Sequence, residues 1–183
     1  SACILEGKKV GIISDLDIEG KMPPELFMAE GNEKSPVISI SYKDNEKSDN
    51  VLQLVPRIIT AGIGCRKGVT VEEIEKAVIK CFSDNNIRPE ALSEIASIDI
   101  KKDEKGIREF ADKMGVDFVT YSAGELRTVK GEFSKSEFVE SVTGVSNVCE
   151  RSAAARGSRL ILHKKVYGRV TVALAEKEIR ILI

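Results

Sequence analysis

The sequence predicts an α/β fold of three layers, α/β/α, around a mixed, mostly parallel sheet that ends in an antiparallel hairpin. Three observations carry that prediction. From residue 51 onward, short apolar runs alternate with amphipathic, capped helical segments. The C-terminal segment instead holds two strand-like runs around a turn at Tyr167-Gly168, the signature of antiparallel pairing. Finally, 183 residues at 42% hydrophobic content are enough to bury roughly 70% of the unfolded surface, so the core needs no staples.

Each element follows from local signals. Lys9-Val10-Gly11-Ile12-Ile13-Ser14 is a short apolar run closed by Asp15 and reads as a strand, after which Pro23-Pro24 opens a short helix. Val37 to Tyr42 alternates as a half-buried strand does, and the polar run Lys43 to Asn50 places a boundary near residue 50. The piece before that boundary offers two strands and one helix, too little for a domain. Arg57-Ile58-Ile59-Thr60-Ala61 then reads as a strand, with a glycine-rich loop over 62–68. Thr70 and Glu73 have capping-box spacing, and Ile74, Ala77, Val78 and Cys81 share one face of the helix they open, which Pro89 stops. Ile95 to Ile100 is the next strand. Asp103 caps a helix that reaches Met114 and ends at Gly115, and Val116 to Tyr121 is another strand. Ser122 with Glu125, and Ser134 with Glu137, repeat the capping-box spacing and predict two short helices, the second closed by Gly144. An Ala-rich helix from about Asn147 to Arg156 stops at Gly157. Arg159 to Lys165 and Arg169 to Ala175 complete the hairpin.

Composition excludes several classes. The 28 Lys+Arg nearly balance 29 Asp+Glu, which argues against a general nucleic-acid binder, since such a protein needs a strongly basic face. The balance is uneven: residues 1–50 carry 6 basic and 10 acidic residues, whereas 51–183 carry 22 and 19, net +3, so an anion site is expected in the second part. No run of 18 apolar residues is present, and Ser1-Ala2-Cys3-Ile4-Leu5-Glu6 lacks the build of a signal peptide, so a cytoplasmic protein without a membrane span is expected. Cys3, Cys65, Cys81 and Cys149 form no C-x-x-C pair, and reduced thiols are expected rather than a disulfide framework or zinc site.

The strongest local signal is Gly62-Ile63-Gly64-Cys65-Arg66-Lys67-Gly68 between a strand and a capped helix. Glycines permit close backbone approach, while helix-start amides and two cations favour a phosphate or carboxylate. Lys67 stands where a Walker A loop needs its second glycine and where G-x-G-x-x-G needs its last, so ATP and NAD lose their best warrant. From chemistry alone two readings stay open: an anion loop, or a plain strand-to-helix turn with solvated Arg66 and Lys67. Cys65, beside those cations, is a candidate for a lowered pKa, but a small space-filling thiol is the better reading without a neighbouring histidine. Lys101 and Glu104 stand at a strand end, where open α/β sheets place ligands; Glu104 suits a base and Lys101 an anion contact, against the plainer reading of a solvated helix start. Glu150 sits in the first turn of the Ala-rich helix, where the dipole alone accounts for a carboxylate. His163, the one histidine, is read as structural.

Together these segments resemble the C-terminal domain of the cobalamin-biosynthesis protein CbiG, cobalt-precorrin-5A hydrolase, shared with the smaller CobE proteins. Leu54-Val55-Pro56-Arg57 leads into a loop that is similar to the family's G-I-G-C-R-K-G at every position. Ser97-Ile98-Asp99-Ile100-Lys101 with Glu104 resembles its S-I-D-L-K-x-x-E segment, and Ser122-Ala123 with Glu125-Leu126 its S-A-x-x-L element. Ser136, Gly144-Val145, Val148-Cys149-Glu150, Ala153 and Ala154 follow its S…G-V…V-x-E-x-A-A pattern, and Thr171 to Ala175 its closing strand. The resemblance covers residues 51–183, while 1–50 look like the tail of the family's central region and the N-terminal domain is missing. Cys149 and Gly124 depart from the family's usual residues.

The resemblance implies a ring-contraction step of anaerobic cobalamin synthesis. Water opens the δ-lactone of a cobalt-bearing, polycarboxylate tetrapyrrole, and a two-carbon unit leaves as acetaldehyde to give cobalt-precorrin-5B. It implies no organic cofactor, because the cobalt travels with the substrate. On this reading Glu150 or Glu104 is the base. Gly62, Gly64, Cys65, Arg66, Lys67, Gly68, Lys101 and Ser122 bind substrate, with loop amides and Lys101 as donors to the oxyanion. Pathway methyltransferases and a second copy of the chain are further expected partners, with no nucleic acid and no membrane. Two other classes stay open: a non-catalytic, CobE-like module that holds and delivers a tetrapyrrole, and a docking domain for a methyltransferase. A nucleotide-binding protein is the outsider.

Overall fold

A computed structural model of the chain describes residues 6–30, 35–45, 49–134 and 146–183. The chain divides into two compact units: Ser1–Arg57 with Asn86–Ala91 and Ile179–Ile183, and Ile58–Asn85 with Leu92–Glu178. The first unit therefore runs past the boundary expected near residue 50. The physical reason is strand pairing, since Val51–Leu54 joins the sheet of the preceding residues.

In the first unit, β1 (Val10–Ser14), β3 (Leu26–Met28), β4 (Val37–Ile40) and β5 (Val51–Leu54) form a parallel sheet in the order β3-β1-β4-β5. A two-residue β2 (Ile18–Glu19) pairs with β11 (Ile181–Leu182). The helix expected after Pro23-Pro24 is instead strand β3. A helix that short cannot repay its nucleation cost, whereas the edge of β1 supplies ready hydrogen-bond partners: Val10 donates to Glu25 O, and Ala29 to Ile12 O, each at 2.9 Å.

The second unit is built on a five-stranded sheet in the order β8-β7-β6-β10-β9, where β6 is Ile59–Cys65, β7 Leu92–Ile98, β8 Asp117–Tyr121, β9 Arg159–Tyr167 and β10 Val170–Glu176. Strands β6, β7 and β8 are parallel, and β10 and β9 return antiparallel, as the sequence predicts. Helix α1 (Val71–Asp84) starts with the expected capping box and buries Ile74, Ala77, Val78, Cys81 and Phe82. Helix α2 (Lys105–Met114) ends at Gly115 in the left-handed conformation. Its N-cap is Glu104 rather than Asp103, which stays exposed 3.9 Å from Arg108. Helix α3 (Ala123–Thr128) carries the second capping box, between Ser122 and Glu125. Helix α4 (Val148–Ala153) is shorter than expected and runs into a 3₁₀ turn over Ala155–Gly157. The predicted Ser134–Glu137 helix, its Gly144 terminator, Ser136 and Val145 lie outside the described residues apart from Ser134.

Period-two alternation explains the three layers. Gly62, Ala96, Ile98, Ala173 and Ala175 face α3 and α4 on one side, and the buried alternates Ala61, Ile63, Ile95, Val172 and Leu174 face α1 and α2 on the other. The expected loop 62–68 proves to be strand as far as Cys65, and only Arg66 onward turns. Gly62 is thus a packing glycine. A Cβ there would lie 1.9 Å from Cys149 O and 2.8 Å from Ala153 N, so only glycine lets α4 lie this close to the sheet.

Candidate functional site

The C-terminal ends of the parallel strands β6 and β7 open into a cavity of about 400 Å³, in the place where open α/β sheets hold ligands. Gly64 and Cys65 end β6, and Ser97 and Ile98 end β7 on its wall. Antiparallel β10 and β9 complete it with Thr171, Val166 and Lys164, and the start of α4 adds Asn147, Val148 and Cys149. The ends of β6 are tied across: Ser97 Oγ donates to Ile63 O at 2.7 Å, and Thr171 Oγ1 donates to Gly64 O at 3.1 Å. Thr171 lies directly opposite Gly64, and a Cβ at Gly64 would meet its hydroxyl at 2.6 Å.

Four cations line the cavity, Arg66, Lys101, Lys164 and Arg169, and among the described residues no Asp or Glu does. Two of the four are committed. Lys101 Nζ lies 3.3 Å from Glu104 Oε2, and Arg169 reaches Glu73 at 3.4 Å and donates to Lys67 O at 3.0 Å. Arg66 and the Lys164 ammonium meet no carboxylate among the described residues. Apolar Ile98, Ile100, Val148 and Val166 line the same cavity, which therefore offers both cationic and hydrophobic contacts.

The two glutamates named as bases do different work. Glu104, with 11% of its side chain exposed, accepts from the Gly68 amide at 2.7 Å through Oε1 and pairs with Lys101 through Oε2. It thereby fastens the turn at Gly68, whose φ of 71° is left-handed. Glu150 is wholly buried. Its Oε1 accepts from the Lys164 amide and the Ser134 hydroxyl, both at 2.7 Å, and its Oε2 from the Ser134 amide at 2.9 Å. Burial works to raise the pKa of this carboxylate, but the Lys164 amide, the Ser134 hydroxyl and amide, and the Asn147 side chain together hold it down at about 2. Asn147 sits at a left-handed φ of 56°, caps α4 by accepting from the Glu150 amide at 3.4 Å, and donates to Ser134 O at 2.9 Å. His163, placed as structural by the sequence, holds Nδ1 3.4 Å from Glu150 Oε2 with 67% of its side chain exposed.

Of the residues singled out from sequence, Gly64, Cys65, Arg66 and Lys101 line the cavity; Gly62, Lys67, Gly68, Glu104, Ser122 and Glu150 do not. Ser122 is occupied in capping α3, where its hydroxyl donates to Glu125 Oε2 at 2.7 Å. The pKa of Cys65 is raised rather than lowered. Burial outweighs the opposing pull of Lys101, and neither neighbouring cation offsets it. Burial likewise pushes the Cys149 thiol up to about 12. The residues that sequence reasoning missed are Asn147, Lys164, Arg169 and Thr171. Period-two alternation could not have flagged Lys164, because register shifts on both sides of Leu174 break the phase of β9. Among the described residues no group of three or more His, Cys, Asp or Glu could hold a metal ion, and no helix is long and apolar enough to cross a membrane.

Fold and site together define an α/β domain with a basic, apolar-floored cavity at its strand ends, suited to an organic polyanion. The family described as cobalamin synthesis G C-terminus matches residues 59–175, and the chain belongs to that family. It is 30% identical over 152 residues to the cobalt-precorrin-5A hydrolase of Priestia megaterium, covering 78% of this chain and 40% of that protein. It is 30% identical over 121 residues to the protein CobE of a Sinorhizobium species, covering 64% of this chain and 79% of that one. The crystal structure of CobE, a protein from the cobalamin biosynthetic pathway, superposes with a TM-score of 0.61 at 28% identity, over 67% of this chain and 92% of that chain. The chain spans less than half the length of the curated hydrolases it matches.

Proposed function

We propose that this chain is the substrate-holding C-terminal part of a cytoplasmic cobalt-precorrin-5A hydrolase of anaerobic cobalamin synthesis. Its substrate is a cobalt-bearing tetrapyrrole whose peripheral carboxylates meet Arg66, Lys101, Lys164 and Arg169 while the macrocycle lies over the apolar floor. Arg66 suits a forked carboxylate contact, and the lysines act as point charges. Water adds to the lactone carbonyl, the ring C–O bond breaks, and the leaving oxygen takes up the proton that water loses. The freed alcohol then loses its proton as the carbon–carbon bond joining the two-carbon unit to the ring breaks, so acetaldehyde departs and the bonding electron pair stays on the macrocycle. No organic cofactor is needed. Both glutamates accept from backbone amides, which supports positioning roles for Glu104 and Glu150 in place of the base role read from the sequence.

The observation that carries this reading is a cavity lined by four cations and, among the described residues, no acid, in a chain of this family. Titrating the chain with cobyrinic acid, a cobalt corrinoid with free carboxylates, should shift its absorbance with an affinity that falls as salt rises, and the heptamethyl ester should bind far more weakly. Acetaldehyde release from cobalt-precorrin-5A then separates the classes. Release establishes the hydrolase, binding without release leaves a delivery module, and failure of both corrinoids to bind overturns the reading. A methyltransferase partner or self-association would appear in the same preparation by size-exclusion chromatography.

A further inference from the structure

Strand β9 does not pair evenly with β10. Val172 is opposite Lys165 and Leu174 is opposite Leu162, so His163 and Lys164 together face Ala173 in a β-bulge. A bulge leaves a backbone group outside the ladder and re-aims the side chains around it. Here the amide of Lys164 donates to Glu150 Oε1 at 2.7 Å, so the displaced amide is satisfied by a buried carboxylate from α4. The same carboxylate is pinned by both donors of Ser134 and lies beside the His163 ring. Lys164 is one of the residues that line the cavity. Its ammonium has no carboxylate partner among the described residues, in contrast to Lys101 and Arg169.

From this arrangement we infer that Lys164 is a carboxylate clamp of the cavity and that Glu150 is its positioning residue, fixing the bulge that presents it. The inference rests on the cavity being the site of a polycarboxylate tetrapyrrole. A cation on a strand is held more rigidly than Arg66 on its exposed turn, so Lys164 sets where one substrate carboxylate docks. Without the Glu150 acceptor the bulge has no partner for its displaced amide, and a slip of one residue in β9 would turn Lys164 to the opposite face. The buried charge of Glu150 thus acts on substrate without touching it.

The test is a double-mutant cycle read as the dissociation constant for cobyrinic acid, with circular dichroism to establish folding of every variant. Lys164→Ala is expected to weaken binding roughly 10- to 100-fold, the loss of one charge-assisted contact, while Lys164→Arg retains most of it. Glu150→Leu, which removes the acceptor, is expected to weaken binding in the unaltered chain and to add little once Lys164 is already Ala, because its effect passes through that side chain. Additive losses would show that Glu150 is merely structural, and binding unchanged in Lys164→Ala would overturn the clamp; both outcomes leave the cavity reading intact. Absence of binding by the unaltered chain would overturn the cavity reading and the clamp together. Should Glu150→Leu fail to fold, Lys164→Ala and Lys164→Arg alone decide the clamp.

Discussion

Glu104 and Glu150 both stand outside the cavity lining, one behind Lys101 and the other behind Lys164, and each accepts from a backbone amide. Around Glu104 the carboxylate faces the Gly68 turn and Lys101, is partly open to water, and has one donor for each oxygen. Around Glu150 the carboxylate is wholly buried and accepts from a hydroxyl and two amides in addition to its approach to His163. The difference lies in what happens when the interaction is removed. Glu104 keeps 11% of its side chain exposed, so the groups it leaves can recover some solvation from water, whereas the wholly buried Glu150 and its donors have nothing else to bond, and each orphaned group bears its full desolvation cost. The β9–α4 wall is therefore expected to be rigid and intolerant, and the Gly68 wall adjustable.

The severest blow to the rigid wall should come from its packing. Gly62→Ala puts a methyl group against the Cys149 carbonyl and the Ala153 amide, both backbone and unable to swing aside. It should lower stability by about 3 kcal/mol, read as a fall in the urea midpoint; a midpoint within error of the unaltered chain would show that α4 can retreat. Next comes pH. The folded pKa of Glu150 is depressed from 4.5 to about 2, so its stabilisation is fully present above pH 4.5 and is lost as pH falls toward 2. The shift corresponds to ~3 kcal/mol. Acid unfolding followed by circular dichroism should show that loss in the unaltered chain and a flatter limb in Glu150→Gln; equal slopes would break the contrast between the two walls. The smallest effect is expected at the adjustable wall. Glu104→Ala should cost about 1 kcal/mol and accelerate hydrogen exchange at the Gly68 amide, while leaving the Lys164 amide protected. Equal acceleration at both amides would mean that the walls are one cooperative piece.

Much of the fold was legible because its signals are local. The capping boxes at Thr70–Glu73 and Ser122–Glu125, the left-handed Gly115 and the hairpin around Gly168 stand where the residues place them. The segment after Pro23-Pro24 misled because a stretch this short takes the conformation its neighbour offers. The glycine-rich run misled for a related reason: tight turns and close packing both demand glycine, and only the position of α4 shows which demand Gly62 meets.

The same division holds for the site. Sequence alone determined the family, the net positive charge of residues 51–183, and four of the cavity residues, Gly64, Cys65, Arg66 and Lys101, because these are carried by residue types and short spacings. The hydrogen-bond partners of Glu104 and Glu150, and the arrival of Lys164, Arg169 and Thr171 from an antiparallel hairpin, were decided by tertiary structure. A carboxylate reads alike on paper whether it faces substrate or a buried amide. What separates the two is which donors the fold brings within 3 Å, and for Glu150 the Lys164 amide comes from 14 residues away through the register of a bulged strand.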